Sequence, residues 1–483
     1  MIRSAINHRM CIRQLIFIAL VLVLRCGVAD SAELFTNPSL PVEGNEVAVI
    51  FQEATKDLPP TSVVNLRIIG PGKTSILQQQ LTLRIVDEKV CGECKFSPEH
   101  NGMYHATVSG DGIKPITLDI PVLDAKRQVD FVWYRPGPWL RWATVVTHSD
   151  TDSGEVKWLQ QRGIKALRWT SGSTTQYKGH KDLSPEQVIA QAKAHYTIAK
   201  DFVWDGMGID EFGAYPNTDK YVFSLNWLRG LGQARATNPQ DTCVTVWHCG
   251  PIHDEWLGLY RSAADILLIE AYEMYFVPSQ LAVEDIYQDL LARILRLRSH
   301  DMFNRAYGST CRALISLDIG GRKGAYDNPN ELEQIVRYLR LAAPEMRGIS
   351  FYNGSYAEES LERVAHDLCF QYFIKPVITF QEESLWFDRY NNAPALVAAV
   401  SNIGAMDSGP VIVRLKVNRK LLGTRKIASV PAGHSRLDNR AMLRFEWAPS
   451  VCGTYSFEVE VVDAADSTIL NPVLRHVRYI STQ

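Results

Sequence analysis

The sequence lacks a concentration of charge of either sign. Its 483 residues hold 51 Lys and Arg against 53 Asp and Glu, a formal net charge of -2, and no dense basic run follows the first residues. Such a chain has no long-range field that would attract a polyanion, so we expect no nucleic-acid partner. With 46% hydrophobic residues, its length predicts a globular protein of several domains.

A long uninterrupted apolar run is also missing. The run LIFIALVLVL is cut off by Arg25, well short of the roughly 20 residues that a membrane span needs. Basic residues precede the run and the small residues of CGVADSA follow it, which is the layout of a signal peptide. The sequence therefore predicts a signal peptide over residues 1–30, with cleavage after Ala29 or Ser31. We expect a secreted, periplasmic or cell-surface protein that meets the membrane only through its export signal.

Metal-binding spacings are absent as well. The CGEC stretch has no second CxxC and no His-x-x-x-His partner, and neither HxH nor HExxH occurs. We therefore expect no metal and no cofactor. In an oxidising compartment Cys91 and Cys94 could form a local disulfide, or they could be two unpaired thiols in a hairpin. The odd number of cysteines after the predicted signal leaves one thiol spare, and the oligomeric state stays open.

The hydrophobic period changes twice along the chain, near residue 126 and near residue 377. Short alternating strands between turn residues fill residues 33–125 and 377–483, which predicts an immunoglobulin-like β-sandwich in each. Over residues 126–376, eight apolar strand-like runs alternate with amphipathic helical stretches, and only the first two runs lack a helix between them. This rhythm predicts a central (β/α)8 TIM barrel.

Reactive or aromatic side chains end nearly every predicted barrel strand. Catalytic groups of such barrels lie at the carboxyl ends of the strands, so we expect these side chains to gather on one face. In chain order they are His148, Arg168 with Trp169, Asp210 with Glu211, Trp247 with His248, Glu270 with Tyr272 and Glu273, Asp318, and Tyr352 with Asn353.

This set of side chains suits the cleavage of a glycosidic bond. That reaction needs one carboxylic acid to protonate the leaving oxygen and a second group to act as base or nucleophile, while aromatic faces cover the sugar. We assign Glu211, at the rim of the fourth strand, as the general acid, and Asp210, Glu270 and Asp318 as the other candidate catalytic residues. Two adjacent carboxylates in a closed site predict a raised pKa for Glu211 and a cation, Arg168, beside Asp210.

The remaining strand-end residues are assigned to substrate binding. By strand parity Glu270 and Tyr272 share one face and Glu273 takes the other, so we choose Glu270 for the site. Structural roles compete with these assignments, because histidines are often satisfied in a core and most tryptophans pack there. The assigned residues are Arg168, Trp169, Trp247, His248, Tyr272, Tyr352, Asn353 and His148.

The stretch WDGMGIDEF is similar to the D-G-x-D-x-D-x-E signature that marks the fourth strand of chitinase-type glycoside hydrolases. Asp205, Gly206 and Asp210 stand in matching places. The stretch departs from the signature at Gly208, where the family has an inner Asp, and at Phe212, which occupies the place of the Glu. The resemblance implies a TIM-barrel enzyme acting on a polysaccharide or oligosaccharide.

Two further resemblances concern the same barrel and the last segment. The Asp210-Glu211 pair resembles the Asn-Glu pair ending strand four in the large retaining barrel clan, whose strand-seven nucleophile would correspond to Asp318. The C-terminal segment, with its NIG turn and its GTYSFEVEVVD strand, resembles CARDB-type adhesion modules. Such modules usually serve for attachment or as spacers and seldom catalyse. A second hypothesis therefore stands beside the hydrolase: a catalytically silent barrel that binds glycan, or a scaffold between two adhesion-like domains.

Overall fold

We analysed a computed structural model of the chain, which describes residues 32–480 apart from short stretches. The stretches outside the described residues are 56, 111, 150–152, 171–177, 179–180, 201–202, 214–217, 238–241, 251, 272–282, 304–310, 321–328, 355–356, 381–384, 389–394, 434–439, 449–450 and 465–473. The predicted signal peptide also lies outside them and stays a prediction. No helix in the described part is long and apolar enough to span a membrane.

The first eight strands form two four-stranded sheets, in the orders β1-β2-β6-β5 and β4-β3-β7-β8. Buried and exposed residues alternate along β3, as expected for a sheet with one face on a core. A two-residue turn at Asp87 and Glu88, both with positive φ, joins β5 to β6. The strands are β1 Glu33–Asn37, β2 Val47–Ala54, β3 Val64–Ile69, β4 Ser75–Leu81, β5 Leu83–Val86, β6 Lys89–Phe96, β7 Gly102–Gly110 and β8 Ile113–Val122.

The two thiols of the CGEC stretch lie on β6. Cys91 and Cys94 are both buried, and neither forms a disulfide. Residues three apart on a strand point to opposite faces, which keeps the two sulfur atoms apart. Of the two alternatives left open by the sequence, the pair of unpaired thiols in a hairpin is therefore the one observed.

The described chain divides into two compact units. The smaller contains Ala48–Lys95 and His105–Asp119, and the larger contains Thr36–Val47, Phe96–Tyr104 and the chain from Ile120 onwards. The barrel and the C-terminal sheets both belong to the larger unit.

The central part is a closed barrel of eight parallel strands, and the predicted fold class is confirmed. Every residue of β13 and of β15 is buried, as expected for strands covered on both faces. Residues 134–144, between the first two barrel strands, contain no helix. The strands are β9 Asp130–Trp133, β10 Val145–Ser149, β11 Lys165–Thr170, β12 Gly206–Phe212, β13 Cys243–His248, β14 Ile266–Glu270, β15 Arg312–Asp318 and β16 Gly348–Tyr352.

Helices follow the second to the eighth barrel strand. Their buried residues are apolar for the most part and recur at helical spacing, as in Leu332, Ile335, Val336 and Leu339. The helices are α1 Ser153–Gln161, α2 Pro185–Lys200, α3 Asp219–Thr237, α4 Asp254–Ala263, α5 Val283–Ser299, α6 Pro329–Ala342 and α7 Glu359–Cys369, the last continuing into a π-helical turn, Phe370–Ile374.

Two buried arginines bind the carbonyl of Ile403, just beyond the barrel. Arg127 Nη2 donates to this oxygen at 2.6 Å, and Arg340 Nη2, from α6, donates to the same oxygen. Each arginine is only 1% exposed. Arg340 donates further to the carbonyls of Tyr372 at 2.9 Å, Pro344 at 2.7 Å, Met346 at 3.3 Å and Ala343 at 3.4 Å.

The C-terminal strands form two more four-stranded sheets around their own apolar core. In one sheet β17 and β18 flank β19, and β22 also pairs with β19; the other has the order β21-β20-β23-β24. The strands are β17 Ile378–Thr379, β18 Leu385–Asp388, β19 Ala395–Asn402, β20 Val411–Val417, β21 Lys420–Ile427, β22 Ala441–Glu446, β23 Gly453–Asp463 and β24 Leu474–Ile480.

The side chain of the fully buried Asn402 stabilises the NIG turn, residues 402–404, through hydrogen bonds to the backbone. Its Oδ1 accepts from the backbone N–H groups of Val377 at 3.0 Å and Gly404 at 2.9 Å. Its Nδ2 donates to the carbonyls of Met406 at 2.7 Å and Val430 at 3.1 Å. A side chain at Gly404 would lie 2.0 Å from the Lys375 carbonyl, so only glycine fits.

Candidate active site

The end of β12 is irregular where the two adjacent carboxylates lie. Ile209 pairs with Val246 of β13 and Phe212 pairs with His248, so β12 carries one residue more than its partner between these pairs. Such a β-bulge bends the strand and re-aims its side chains, so strict parity does not extend past Ile209. The side chain of Glu211 lies outside the described residues, and its assignment as general acid stays a prediction.

Gly208 occupies the place where the chitinase-type signature has its inner Asp. A Cβ at this position would lie 2.6 Å from the carbonyl oxygen and 3.0 Å from the Cβ of Thr147 on β10, two strands away in the barrel. No real side chain tolerates the first of these distances without a backbone shift. The packing of the barrel therefore requires glycine at position 208, where the signature has an Asp.

Two uncharged donors hold the carboxylate of Asp210. The Tyr134 hydroxyl donates to Asp210 Oδ2 at 2.8 Å, and the Trp169 indole Nε1–H donates to the same oxygen at 3.3 Å. The Trp169 side chain, at 39%, is one of the large hydrophobic side chains that remain exposed, so it offers a surface next to the carboxylate. Tyr134 is 5% exposed and supports the carboxylate from inside the barrel.

The sequence did not single out Tyr134, although it directly follows the first barrel strand. Burial raises the pKa of its hydroxyl, and the Asp210 carboxylate raises it further, so the phenol keeps its proton and remains a donor. The signal that could have found it is its position at the carboxyl end of a barrel strand, like the other candidates.

Acidic groups from three strands raise the pKa of Tyr352, at the end of β16. Burial is the largest cause that raises the pKa of its hydroxyl, followed by the carboxylates of Asp210 and Asp318; the Glu270 carboxylate raises it too. Arg135 acts in the opposite direction. Three of the predicted acids thus lie close enough to one tyrosine to raise the pKa of its hydroxyl.

Asp318 and Glu270 differ in their surroundings. Asp318 is fully buried, and its Oδ1 accepts from the backbone N–H of Gly320 at 2.9 Å. Glu270 is partly exposed, and its backbone carbonyl accepts from Arg293 Nη1 at 3.1 Å. Burial lowers the pKa of Arg293 to about 10, and the Glu270 charge opposes this change. Glu270 is therefore the more accessible acid of the two.

The guanidinium of Arg168 packs on an aromatic ring, and its predicted pairing with Asp210 stays a prediction. Its guanidinium lies over the Trp204 ring, 5.4 Å from the ring centre, while Trp169, the next residue, donates to Asp210. Consecutive residues on a strand point to opposite faces, so only one of the two can face the barrel interior. The donors to Asp210 described above include a phenol and an indole.

Three other residues assigned to substrate binding lie away from the surface. His248 is fully buried, with Nδ1 2.8 Å from the Tyr260 hydroxyl on α4, because it faces the helices. Trp247 is also fully buried, and its Nε1 donates to Thr147 at 3.1 Å beneath the site. Asn353 is 2% exposed and joins two loop ends. It accepts from the N–H of Arg135 at 2.9 Å and donates to the Arg135 carbonyl and to Glu362 Oε1, both at 3.0 Å.

His148 does lie among the site's aromatic rings. Its ring centre is 5.4 Å from that of Tyr134 and 5.4 Å from that of Trp169. Tyr272 and Glu273 lie outside the described residues. Among the side chains that the structure describes, no three His, Cys, Asp or Glu residues come together in a way that could hold a metal ion.

No protein-family model matches the chain, and no curated protein matches it. The chain is similar to a solved cycloisomaltooligosaccharide glucanotransferase from Paenibacillus sp. The two share 10% identity over 92% of this chain and 71% of that chain, with a TM-score of 0.35. It is also similar to an endo-beta-N-acetylglucosaminidase from Cordyceps militaris, with 13% identity over 50% and 90% of the two chains and a TM-score of 0.36. The CARDB domain of a Pyrococcus furiosus protein matches 23% of this chain and 91% of that chain, with 19% identity and a TM-score of 0.18.

Proposed function

We propose that the protein is a secreted glycoside hydrolase that acts on a polysaccharide or oligosaccharide at the carboxyl end of its barrel. The observation that supports this proposal is the position of Asp210, Glu270 and Asp318 at or near the carboxyl ends of β12, β14 and β15, where all three carboxylates raise the pKa of Tyr352. The exposed ring of Trp169 lies beside Asp210 and offers a flat apolar surface to a sugar. Paired acids and an aromatic surface are what glycosidic cleavage requires.

In this proposal Glu211 is the general acid and base, because it lies near the end of the fourth strand next to Asp210. Asp210, held by its two donors, stabilises the charge that develops on the sugar. Glu270, being partly exposed, is the acid that can reach a substrate from the sixth strand, whereas buried Asp318 contributes its charge from below.

A second candidate function is a silent barrel that binds glycan without cleaving it. The observation that favours it is Gly208, where packing against Thr147 leaves no room for the inner acid of the chitinase-type signature. Such a barrel would still carry the exposed Trp169 and the Asp210 carboxylate, both of which can hold a sugar.

A glycan-library hydrolysis screen tests the two candidates together. The full mature chain, its Glu211→Gln variant and a Glu446→Gln control are incubated with neutral, amino and acidic glycans, and released reducing ends are measured. Glu446 is exposed on β22, so its variant makes the same chemical change away from the barrel. We expect Glu211→Gln to lose about 10²- to 10⁴-fold in turnover, the typical contribution of a positioned general acid, while the control keeps its rate. Equal cleavage rates for all three chains would contradict the role of Glu211 as general acid. Binding without cleavage by all three would contradict the hydrolase and favour the silent barrel.

A further inference from the structure

We infer that Tyr134 is a positioning residue for the reaction: it holds the Asp210 carboxylate across the barrel, in the orientation that the substrate meets. This inference rests on the proposed function, since it assigns Tyr134 a role in the same site. It extends the set of functional residues to the first barrel strand.

Tyr134 reaches across the barrel. It follows β9, whereas Asp210 lies on β12, three strands further round the closed sheet. The hydroxyl reaches Asp210 Oδ2 at 2.8 Å, the usual distance for a hydrogen bond between a hydroxyl and an oxygen acceptor. A side chain on one strand thus fixes a carboxylate on another, and neither strand can place that carboxylate alone.

Tyr134 is itself held by contacts from other barrel strands. Its backbone N–H donates to the Phe351 carbonyl at 3.0 Å, and its own carbonyl accepts from Thr147 Oγ1 at 3.4 Å. Its ring centre lies 4.5 Å from that of Tyr352 and 5.4 Å from that of Trp247, which meets it edge to face. A donor held by neighbouring strands in this way loses little conformational freedom when it bonds Asp210, so the carboxylate is oriented before any substrate arrives.

The Tyr134 hydroxyl also suits this role because it is a neutral donor. A neutral donor orients a carboxylate without cancelling its charge, whereas a guanidinium in the same place would form an ion pair with it. Trp169 donates to the same oxygen from β11, so two neutral donors from two strands determine the position of Oδ2. Neither of these two donors neutralises the charge of Asp210, which can therefore stabilise a positive transition state.

The kinetic test compares Tyr134→Phe with wild type on a glycan that the wild type cleaves. Phenylalanine keeps the ring and its packing but removes the hydroxyl. We expect kcat to fall roughly 10- to 100-fold, the effect of losing one hydrogen bond to a charged group, with KM within about twofold. Trp169→Phe, which removes the other donor, should lower kcat in the same direction. Thermal unfolding of each variant, measured beside that of wild type, checks that the barrel is folded.

A double variant separates positioning from a structural role. In the Asp210→Asn background, Tyr134→Phe should cause little further loss, because the carboxylate that it positions is already gone. A full loss in that background, or an unchanged kcat in the single variant, would overturn the inference.

A spectroscopic arm needs no activity and therefore separates failure of this inference from failure of the proposed function. In protein labelled with ¹³Cζ-tyrosine, the Tyr134 resonance is identified by its absence in Tyr134→Phe. We expect this resonance to move in Asp210→Asn, where the acceptor loses its charge, and to stay in Glu446→Gln. If the wild type cleaves no glycan but the resonance moves, the hydrolase fails and the contact stands; a resonance that does not move contradicts the contact itself.

Discussion

Replacing Arg340 with Met should strongly destabilise the larger unit, and the structure gives the size of the effect. Arg340 is buried and donates to five carbonyls, of Tyr372, Ala343, Pro344, Met346 and Ile403. The Ala343 carbonyl keeps a second donor in the Met346 N–H, and the Ile403 carbonyl keeps Arg127, so we count the loss over the other three.

At about 1 to 1.5 kcal/mol for each buried carbonyl that loses its donor, the free energy of unfolding should fall by about 3 to 5 kcal/mol. Methionine fills most of the volume of the arginine stem, so the cavity contribution is small. The change is therefore a measure of the hydrogen bonds and the charge rather than of lost packing.

Urea unfolding followed by tryptophan fluorescence measures this difference. The matched control is Arg337→Met, on the same helix α6 but with an exposed side chain. We expect the control to change the free energy of unfolding by less than about 0.5 kcal/mol, as most surface substitutions do. If Arg340→Met shifts the transition no more than Arg337→Met does, the carbonyl cluster does not contribute as the geometry indicates.

Two further predictions concern the barrel. Gly208→Ala should lower the free energy of unfolding by about 1 to 3 kcal/mol, because its Cβ would lie 2.6 Å from the Thr147 carbonyl oxygen. The control Gly258→Ala in α4, with open space around it, should be neutral or slightly stabilising. Equal unfolding midpoints for the two variants would refute the steric argument. His366, on α7, is buried against Trp142, and burial, followed by the charges of Arg141 and Arg363, lowers its pKa in spite of the Asp367 carboxylate. The unfolded state therefore binds this proton more readily, so the stability that neutral His366 contributes is present above its unfolded pKa of about 6.5 and is lost as the pH falls below it. His366→Phe should make the free energy of unfolding less sensitive to pH between 7 and 5, and a variant with the slope of wild type would show that another group is responsible.

The barrel itself was predictable from the sequence, and the reason is visible in its strands. Strands buried on both faces appear as continuous apolar runs, so β13 and β15 stand out even without alternation. Polar residues at the ends of those runs then mark the carboxyl edge. This reasoning placed Asp210, Glu270 and Asp318 on one edge, which agrees with their shared effect on Tyr352.

The direction of individual side chains was less predictable. At the pairs Arg168-Trp169 and Trp247-His248 only one member can face the barrel interior, and the residue types do not tell which. Asn353 lies beyond the end of β16, where strand parity no longer applies, and it binds the loop at Arg135. Contacts made across the barrel, such as that of Tyr134, depend on which strands close the sheet and leave no trace in local spacing.

The extra residue in β12 also affects how this chain can be aligned with any other barrel. Counting along the chain and counting along the hydrogen-bond ladder agree up to Ile209 and differ by one at Phe212. A relative without the bulge would have one residue fewer here, so the gap in a correct alignment would fall inside a strand, where gap penalties are usually highest. An alignment without that gap would move the acidic pair one place along the ladder. Superposing the strands, rather than matching the spacing of the motif, is the appropriate basis for deciding which carboxylates correspond.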